Sequence, residues 1–151
     1  SRRCPDSGRI DFPLMLPLKN AGLWRVLSVV ILILVLVAAL SPAFWFFDNK
    51  REALSWFKNA DKLIHATTFI VLSIWFAGLF ERRAWWRIAI GLMAFGFLVE
   101  FFQLQLKYRT ADWFDIAANT AGIIVGLAVA AAGLGGWALR FEDWYLRRNQ
   151  I

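Results

Sequence analysis

The sequence predicts an all-α, polytopic membrane protein with four transmembrane helices and both termini in the cytoplasm. The chain has 151 residues, of which 60% are hydrophobic and only 19% are charged. A soluble domain is nearer half apolar and a quarter charged. The apolar residues also fall in blocks that carry almost no charge, which is typical of membrane spans. The length fits one compact helical domain.

The four predicted spans lie at about 23–47, 61–80, 84–106 and 113–139. Each has at least the roughly 17–20 helical residues that cross ~30 Å of hydrocarbon. Pro42 is expected to bend or end the first helix, because its ring is incompatible with a helix interior. Asn59 or Asp61 could cap the start of the second span. No charge interrupts the fourth span between Ile116 and Leu139.

Charge predicts the orientation of the chain. The net charge is +6, which in a soluble chain would suggest a nucleic-acid partner. Here the basic residues flank apolar blocks, so membrane orientation explains them better and no nucleic acid is expected. Residues 1–22 are predicted to be a loose basic N-terminal tail, and residues 140–151 a basic cytoplasmic C-terminal tail. The positive-inside rule then favours a multi-pass protein of the bacterial cytoplasmic (inner) membrane, with its outer loops after spans one and three.

The third span determines the depth at which Glu100 lies. The uncharged stretch between Arg87 and Glu100 covers residues 88–99. As a helix this stretch reaches only about 18 Å, which is short of the ~30 Å hydrocarbon layer. Glu100 is therefore expected inside the outer leaflet or at its boundary. Carboxylates at such depths are costly, and they often mark functional sites.

Polar residues from three spans are predicted to converge at the depth of Glu100. Within each span they recur at intervals of three or four, so that they share one helix face. We call this set the polar cluster, and we expect it to be buried, hydrogen-bonded and able to bind a ligand. Its predicted members are Asp61, His65, Glu100, Gln103, Arg109, Asp112, Asp115 and Asn119.

Small residues beside the cluster predict close helix packing. A ridge of glycine and alanine lets helix backbones approach each other inside a membrane. We expect these positions to serve packing within the protein, with homodimerisation as the lesser alternative. The predicted packing residues are Gly96, Ala118, Gly122, Gly126 and Ala130.

The order and spacing of these residues resemble the VanZ-like family of small bacterial integral membrane proteins. The resemblance covers about residues 61–126, and its motifs are DKxxH from Asp61, GxxxExxQ from Gly96 and RxxDxxDxxxNxxGxxxG from Arg109. It implies a multi-helix membrane protein, which in the family's namesake is linked to tolerance of a glycopeptide antibiotic such as teicoplanin. It implies no mechanism and does not extend to span one or the tails.

Each charged member of the cluster has a structural alternative. His65 could carry a proton or bind a metal with Asp61 and Glu100. The favoured interpretation is a histidine that bonds a neighbouring carboxylate and joins two helices. No metal site and no cofactor are therefore predicted. Glu100 either acts as an acid or base with a raised pKa, or pairs with a neighbour.

The residues around the third loop are equally open to two interpretations. Arg109 could bind a lipid phosphate or a carboxylate in a bidentate manner, or it could pair with Glu100, Asp112 or Asp115. One of the two aspartates is expected to cap the fourth span. Asn119 is expected to form a hydrogen bond between helices.

The predicted function is recognition or handling of an anionic cell-envelope lipid or a lipid-linked wall precursor at the outer leaflet. One alternative is a structural accessory subunit of a larger membrane protein complex, in which the cluster only fastens helices. A second alternative is an intramembrane enzyme acting on a lipid-linked substrate. That enzyme would need Glu100 and His65 within about 3 Å of each other or of one water. No catalytic residue is assigned.

Overall fold

The structure, a computed structural model, describes residues 14–41, 50–106 and 113–148, with the backbone alone for residues 50–59. The elements in this part of the chain are all helical apart from an isolated bridge between Met15 and Phe80. In chain order the helices are α1 (Ala21–Leu40), α2 (Lys50–Leu79), α3 (Trp85–Leu104), α4 (Trp113–Val129) and α5 (Trp137–Arg148), with a 3₁₀ turn at Arg82–Ala84 and a π-helical turn at Ala130–Leu134.

Among the residues that the structure describes, four segments are long and apolar enough to cross a membrane, namely Ala21–Leu40, Ala60–Leu79, Arg82–Leu104 and Trp113–Leu134. The predicted all-α fold with four such helices is confirmed. Alternating chain direction places the start of α1, the end of α2, the start of α3 and the end of α4 together at one end of the bundle. We call this the α5 end, because α5 packs there. The opposite end is the polar end.

Helix α2 begins earlier than the sequence predicts. Its first residue is Lys50, so Asn59 and Asp61 lie inside the helix. The expectation that one of them caps the second span is therefore wrong. The reason is that the preceding residues include good helix formers and no glycine or proline, so the helix continues beyond its apolar part. By contrast, α1 ends at Leu40, and Ser41 is extended (φ −71°, ψ 138°), as the residue before a proline prefers.

The fourth span ends before Leu139, where the sequence analysis placed its end. Helical geometry breaks at Gly133 (φ 154°, ψ −13°), and Gly136 adopts φ 69°, a left-handed conformation that suits glycine. The prediction rested on the absence of charge, whereas the glycines of this segment determine where the helix stops. The predicted C-terminal tail is also largely helical, because α5 extends to Arg148 and buries Ala138 and Glu142.

The described part of the N-terminal segment is packed and not loose. The backbone N–H of Leu16 donates to Leu79 O (2.9 Å), and the N–H of Glu81 donates to Leu14 O (2.9 Å). Leu18 is buried in an apolar group with Trp24, Leu79 and Ala138. These contacts fix the α5 end of the bundle, where the segment that precedes the four spans packs against the helix that follows them.

Helices α2 and α4 form the closest pair of the bundle. A Cβ atom added at Gly122 would overlap Ala66 O on α2, and one added at Gly126 would lie 2.6 Å from Ile70 O. The core beside this pair includes Phe69, Leu72, Ile88, Leu92 and Ile123. Of the predicted packing residues, Gly96, Gly122, Gly126 and Ala130 are buried and Ala118 is half-buried. Helix α1 is peripheral, since only Trp24 and Ser28 on it are buried.

Candidate functional site: a polar cluster between three helices

The structure places six of the eight predicted cluster residues at the polar end. Glu100 lies near the end of α3 and is buried. Arg109 and Asp112 lie outside the described residues. The remaining buried members are His65 on α2, Gln103 on α3, and Asp115 and Asn119 on α4, while Asp61 on α2 is partly exposed.

His65 is the centre of the cluster. Its Nδ1 lies 3.0 Å from Asn119 Oδ1 and 3.9 Å from Glu100 Oε1, while its Nε2 lies 3.8 Å from Asp61 Oδ1. The amide oxygen only accepts hydrogen bonds, so Nδ1 donates to Asn119. His65 thus joins α2 to α4 by a hydrogen bond to an amide, where the sequence analysis expected a carboxylate.

Helical spacing explains why these side chains meet. Asp61 and His65 are one turn apart on α2, and Asp115 and Asn119 are one turn apart on α4, so each pair shares a helix face. The missing side chain of Gly96 lets α4 approach α3, because a Cβ there would lie 3.1 Å from Asn119 Nδ2. The predicted small-residue positions therefore hold the polar residues in contact.

Gln103 is buried but bonds away from His65. Its Nε2 donates to Ala39 O (3.0 Å), in the last turn of α1. Carbonyl groups in the last turn of a helix lack partners within that helix. Gln103 thus fastens the end of α1 to α3.

Lys62 contributes to the site, although the sequence analysis assigned it no role there. Its Nζ lies 4.0 Å from Asp115 Oδ1 and 5.5 Å from the centroid of the Phe114 ring. The side chain is 46% exposed, against 5% for Asp115. Among the described residues, the part of the cluster that solvent can reach is a rim formed by Asp61 and Lys62, and the other members are buried. The sequence feature that could have identified Lys62 is its place in the DKxxH motif, between Asp61 and His65.

Three potential metal ligands come together at this rim. One ligand atom each from Asp61, His65 and Asp115 lies within 4.8 Å of the other two. The sequence analysis considered Glu100 as the residue completing a set with Asp61 and His65. The structure brings Asp115 to that position, from the first turn of α4.

A buried carboxylate outside the polar cluster, that of Glu142, lies at the α5 end and was not predicted. It accepts hydrogen bonds from Lys19 N (2.8 Å), Asn20 N (3.2 Å) and Trp24 Nε1 (2.8 Å). Burial raises the pKa of Glu142, but these three donors, with the charge of Lys19, outweigh burial and hold the pKa below its ordinary value. Its partners are distant in sequence, so no local pattern could have identified it.

Comparison with known proteins gives one family. A family model described as VanZ/LLP1 matches residues 26–134. The matched region runs from α1 to the end of the π-helical turn, and it contains every predicted residue of the polar cluster. Helix α5 and Glu142 lie beyond it. No curated protein and no solved structure matches the chain.

Proposed function

Because the chain belongs to the VanZ/LLP1 family and has the helices of a multi-pass membrane protein, we propose that it recognises an anionic cell-envelope lipid or lipid-linked wall precursor. Recognition would occur at the outer leaflet of the bacterial cytoplasmic membrane. The observation that carries this proposal is the meeting of His65, Glu100, Asp115 and Asn119 from three helices at one end of the bundle. Burying so many polar groups in a membrane domain is costly, and such groups commonly serve binding.

The anion-binding group in this proposal is Arg109. A guanidinium group binds a phosphate or a carboxylate through two parallel hydrogen bonds. Arg109 lies in the sequence between α3 and α4, whose facing ends carry Glu100 and Asp115. These two carboxylates, with His65, would orient the guanidinium and contact polar groups of the ligand. The partly exposed rim at Asp61 and Lys62 would admit the headgroup from the membrane surface.

The test uses delipidated protein in mild detergent and native mass spectrometry. The probes are phosphatidylglycerol and undecaprenyl phosphate, with zwitterionic phosphatidylcholine for comparison. We expect the anionic lipids to bind preferentially. Arg109→Ala and Glu100→Gln should each weaken binding roughly tenfold to a hundredfold, as expected for loss of a charge-assisted hydrogen bond. Both variants should retain the helical content and the elution volume of the parent protein.

A control variant distinguishes this site from lipid held elsewhere on the protein. An apolar cleft of about 290 Å³ near the α5 end is lined by residues that include Leu32, Phe76, Ile88 and Gly91. A Cβ at Gly91 would meet nothing within 4 Å, so the first atom of the Gly91→Leu side chain fits and the remaining atoms should narrow this cleft. Binding should survive Gly91→Leu. Equal binding by the parent, Arg109→Ala and Glu100→Gln proteins would contradict the proposal.

An accessory subunit of a larger membrane complex is the second candidate, and the surface of α1 is where a partner protein would dock. Val26, Ile33, Leu34 and Val37 are more than half exposed, on a helix that buries little against the rest of the chain. Such a surface suits either lipid or another protein. A stoichiometric partner that copurifies in mild detergent and crosslinks along α1 would support this candidate. Protein that copurifies with lipid alone would count against it.

The intramembrane-enzyme alternative has less support from the geometry. His65 Nδ1 and Glu100 Oε1 are 3.9 Å apart, which exceeds the ~3 Å needed for direct proton transfer. The same nitrogen is engaged by Asn119 Oδ1. We therefore do not propose an acid–base pair of these two residues.

A further inference from the structure

We infer that Asp61, His65 and Asp115 form a binding site for a divalent transition-metal ion such as Zn²⁺. One carboxylate oxygen of each aspartate and one ring nitrogen of His65 lie within 4.8 Å of one another. This inference goes beyond the proposed lipid recognition and does not rest on it, because the ion could bind with no lipid present.

The separations suit a common ion after small side-chain movements. Zinc bonds to nitrogen and oxygen are about 2.0–2.2 Å long, so two atoms that ligate one zinc ion lie roughly 3–4 Å apart. His65 Nε2 and Asp61 Oδ1 are 3.8 Å apart. No two of the three ligand atoms are more than 4.8 Å apart, so each pair would have to approach by less than about 2 Å to bind one ion. Rotation of the carboxyl groups can supply this movement.

The hydrogen bond of His65 to Asn119 prepares its second nitrogen for a metal. Nδ1 donates to Asn119 Oδ1 at 3.0 Å, so in the neutral ring Nε2 carries a lone pair on the side of Asp61. Histidines that ligate metals almost always donate their other ring N–H to an oxygen acceptor in this manner, which fixes the tautomer and the ring orientation. Asn119 would act as this positioning residue.

Of the three proposed ligands, Asp61 is the least covered. The side chains of His65 and Asp115 are 8% and 5% exposed, whereas that of Asp61 is 25% exposed. An ion could enter beside Asp61, and three protein ligands would leave a coordination position for water or a ligand. One imidazole with two carboxylates is a donor set suited to Zn²⁺ or Mn²⁺.

Lys62 would compete with the ion. Its ammonium group lies 4.0 Å from Asp115 Oδ1 on a side chain that is nearly half exposed, so it can turn towards solvent when the ion enters. Substitution of Lys62 therefore distinguishes loss of a metal ligand from a general loss of structure, because unfolding would lower Zn²⁺ affinity in every variant. Removal of the lysine charge by Lys62→Met should leave Zn²⁺ affinity unchanged or increase it, whereas removal of a ligand should reduce it.

The experiment is calorimetric titration of Zn²⁺ into EDTA-stripped protein in mild detergent, purified without a histidine tag in a Cys4→Ser background. We expect one ion per chain. Asp61→Asn, His65→Gln and Asp115→Asn should each lower the affinity at least tenfold, and Lys62→Met should not. Asp143→Asn, an exposed acidic position on α5, is the matched control and should bind as the parent does.

Asp61→Asn is the decisive variant, because its partly exposed position makes it the least disturbing to folding. Folded parent protein that takes up no stoichiometric Zn²⁺ would overturn the inference, as would equal affinity in the parent and Asp61→Asn proteins. The two proposals can fail separately, because the Zn²⁺ titration is done without lipid and lipid binding can be measured in EDTA. Preferential binding of anionic lipid in EDTA by protein that takes up no stoichiometric Zn²⁺ would overturn this inference alone, whereas stoichiometric Zn²⁺ uptake with no preference for anionic lipid would overturn the proposed function alone.

Discussion

Glu142 replaces a local cap at the start of α1. Asn20, the residue before the helix, forms no side-chain capping hydrogen bond. The carboxylate of Glu142 instead accepts from the N–H groups of Lys19 and Asn20 and from the Trp24 indole. A negative charge at this position also complements the positive end of the α1 dipole. One side chain of α5 thereby ties the C-terminal helix to the first span.

Substitution of Glu142 should destabilise the α5 end. Glu142→Gln keeps the size of the side chain but replaces one acceptor oxygen by an NH₂ group, which would face a backbone or indole donor. We expect a loss of about 1–3 kcal/mol in the free energy of unfolding, as for a buried donor left without its partner. Thermal unfolding in detergent measures this effect. The exposed neighbour provides the control, and Asp143→Asn should change stability little. Equal destabilisation by both variants would contradict the assigned role.

Stability should also fall in acid because of Glu142. Burial raises its pKa, but the donors Trp24, Lys19 and Asn20 hold the pKa in the folded protein below the ordinary 4.5. A carboxyl with a lowered pKa stabilises the fold above its unfolded pKa, and this contribution is lost as the pH falls through the folded pKa. The parent should therefore lose thermal stability progressively below about pH 4.5, relative to Glu142→Gln. Parallel pH profiles of the two proteins would show that Glu142 does not contribute.

The sequence predicts residues of the polar cluster but does not predict the buried position of Glu142. The sequence predicts part of the polar cluster because residues one helical turn apart share a face, as in the pairs Asp61–His65 and Asp115–Asn119. It also predicts Glu100, because a carboxylate is conspicuous in an apolar helix. Glu142 lies in an ordinary charged stretch, and its partners lie 118–123 residues away. Only the turn that folds α5 back onto α1 brings them together, and side-chain spacing carries no information about that turn.

At the scale of elements, the contact between α2 and α4 depends on glycine. Gly122→Ala would drive a methyl group into Ala66 O, a backbone atom that cannot move aside without shifting α2. We expect a loss of about 1–3 kcal/mol, typical of overpacking, measured by denaturant or thermal unfolding in detergent.

Gly91→Ala is the matched control, because the added atom meets nothing within 4 Å. Alanine exceeds glycine in helix propensity by up to about 1 kcal/mol, so this variant should be neutral or slightly more stable. Tolerance of Gly122→Ala equal to that of Gly91→Ala would refute the close packing. His65 and Asn119 belong to this helix pair, so their hydrogen bond should weaken with the contact.

The ends of the helices show where pattern reasoning fails. Hydropathy located all four spans, because a span must be apolar over its length in any context. It could not locate the start of α2, where the helix continues into polar residues. It also missed the break before α5, because glycine interrupts a helix without adding charge. Both boundaries are set by backbone preferences that a hydropathy profile does not contain.

At the scale of the whole molecule, the two ends of the bundle differ in chemistry. The α5 end holds Trp24, Trp75 and Trp137 in mutual contact, with ring centroids 5.2–5.7 Å apart. Indoles favour the headgroup level of a membrane. The polar end holds the acidic, imidazole and amide groups of the cluster. A bundle built in this way can be anchored at one membrane surface by its indoles while its polar cluster lies near the other.

The orientation of this asymmetric bundle is the remaining prediction. The start of α1 and helix α5 share the α5 end, so we expect the described parts of both terminal segments to lie on one side of the membrane. Arg82, Arg83, Arg147 and Arg148 lie at the same end, and the positive-inside rule therefore predicts that it faces the cytoplasm. Single cysteines placed at Lys50 and Lys107 in a Cys4→Ser background should react with a membrane-impermeant maleimide in intact cells. A cysteine at Arg147 should react only after permeabilisation. The reverse pattern would put the polar cluster in the cytoplasmic leaflet, and the proposed outer-leaflet ligand would then be wrong.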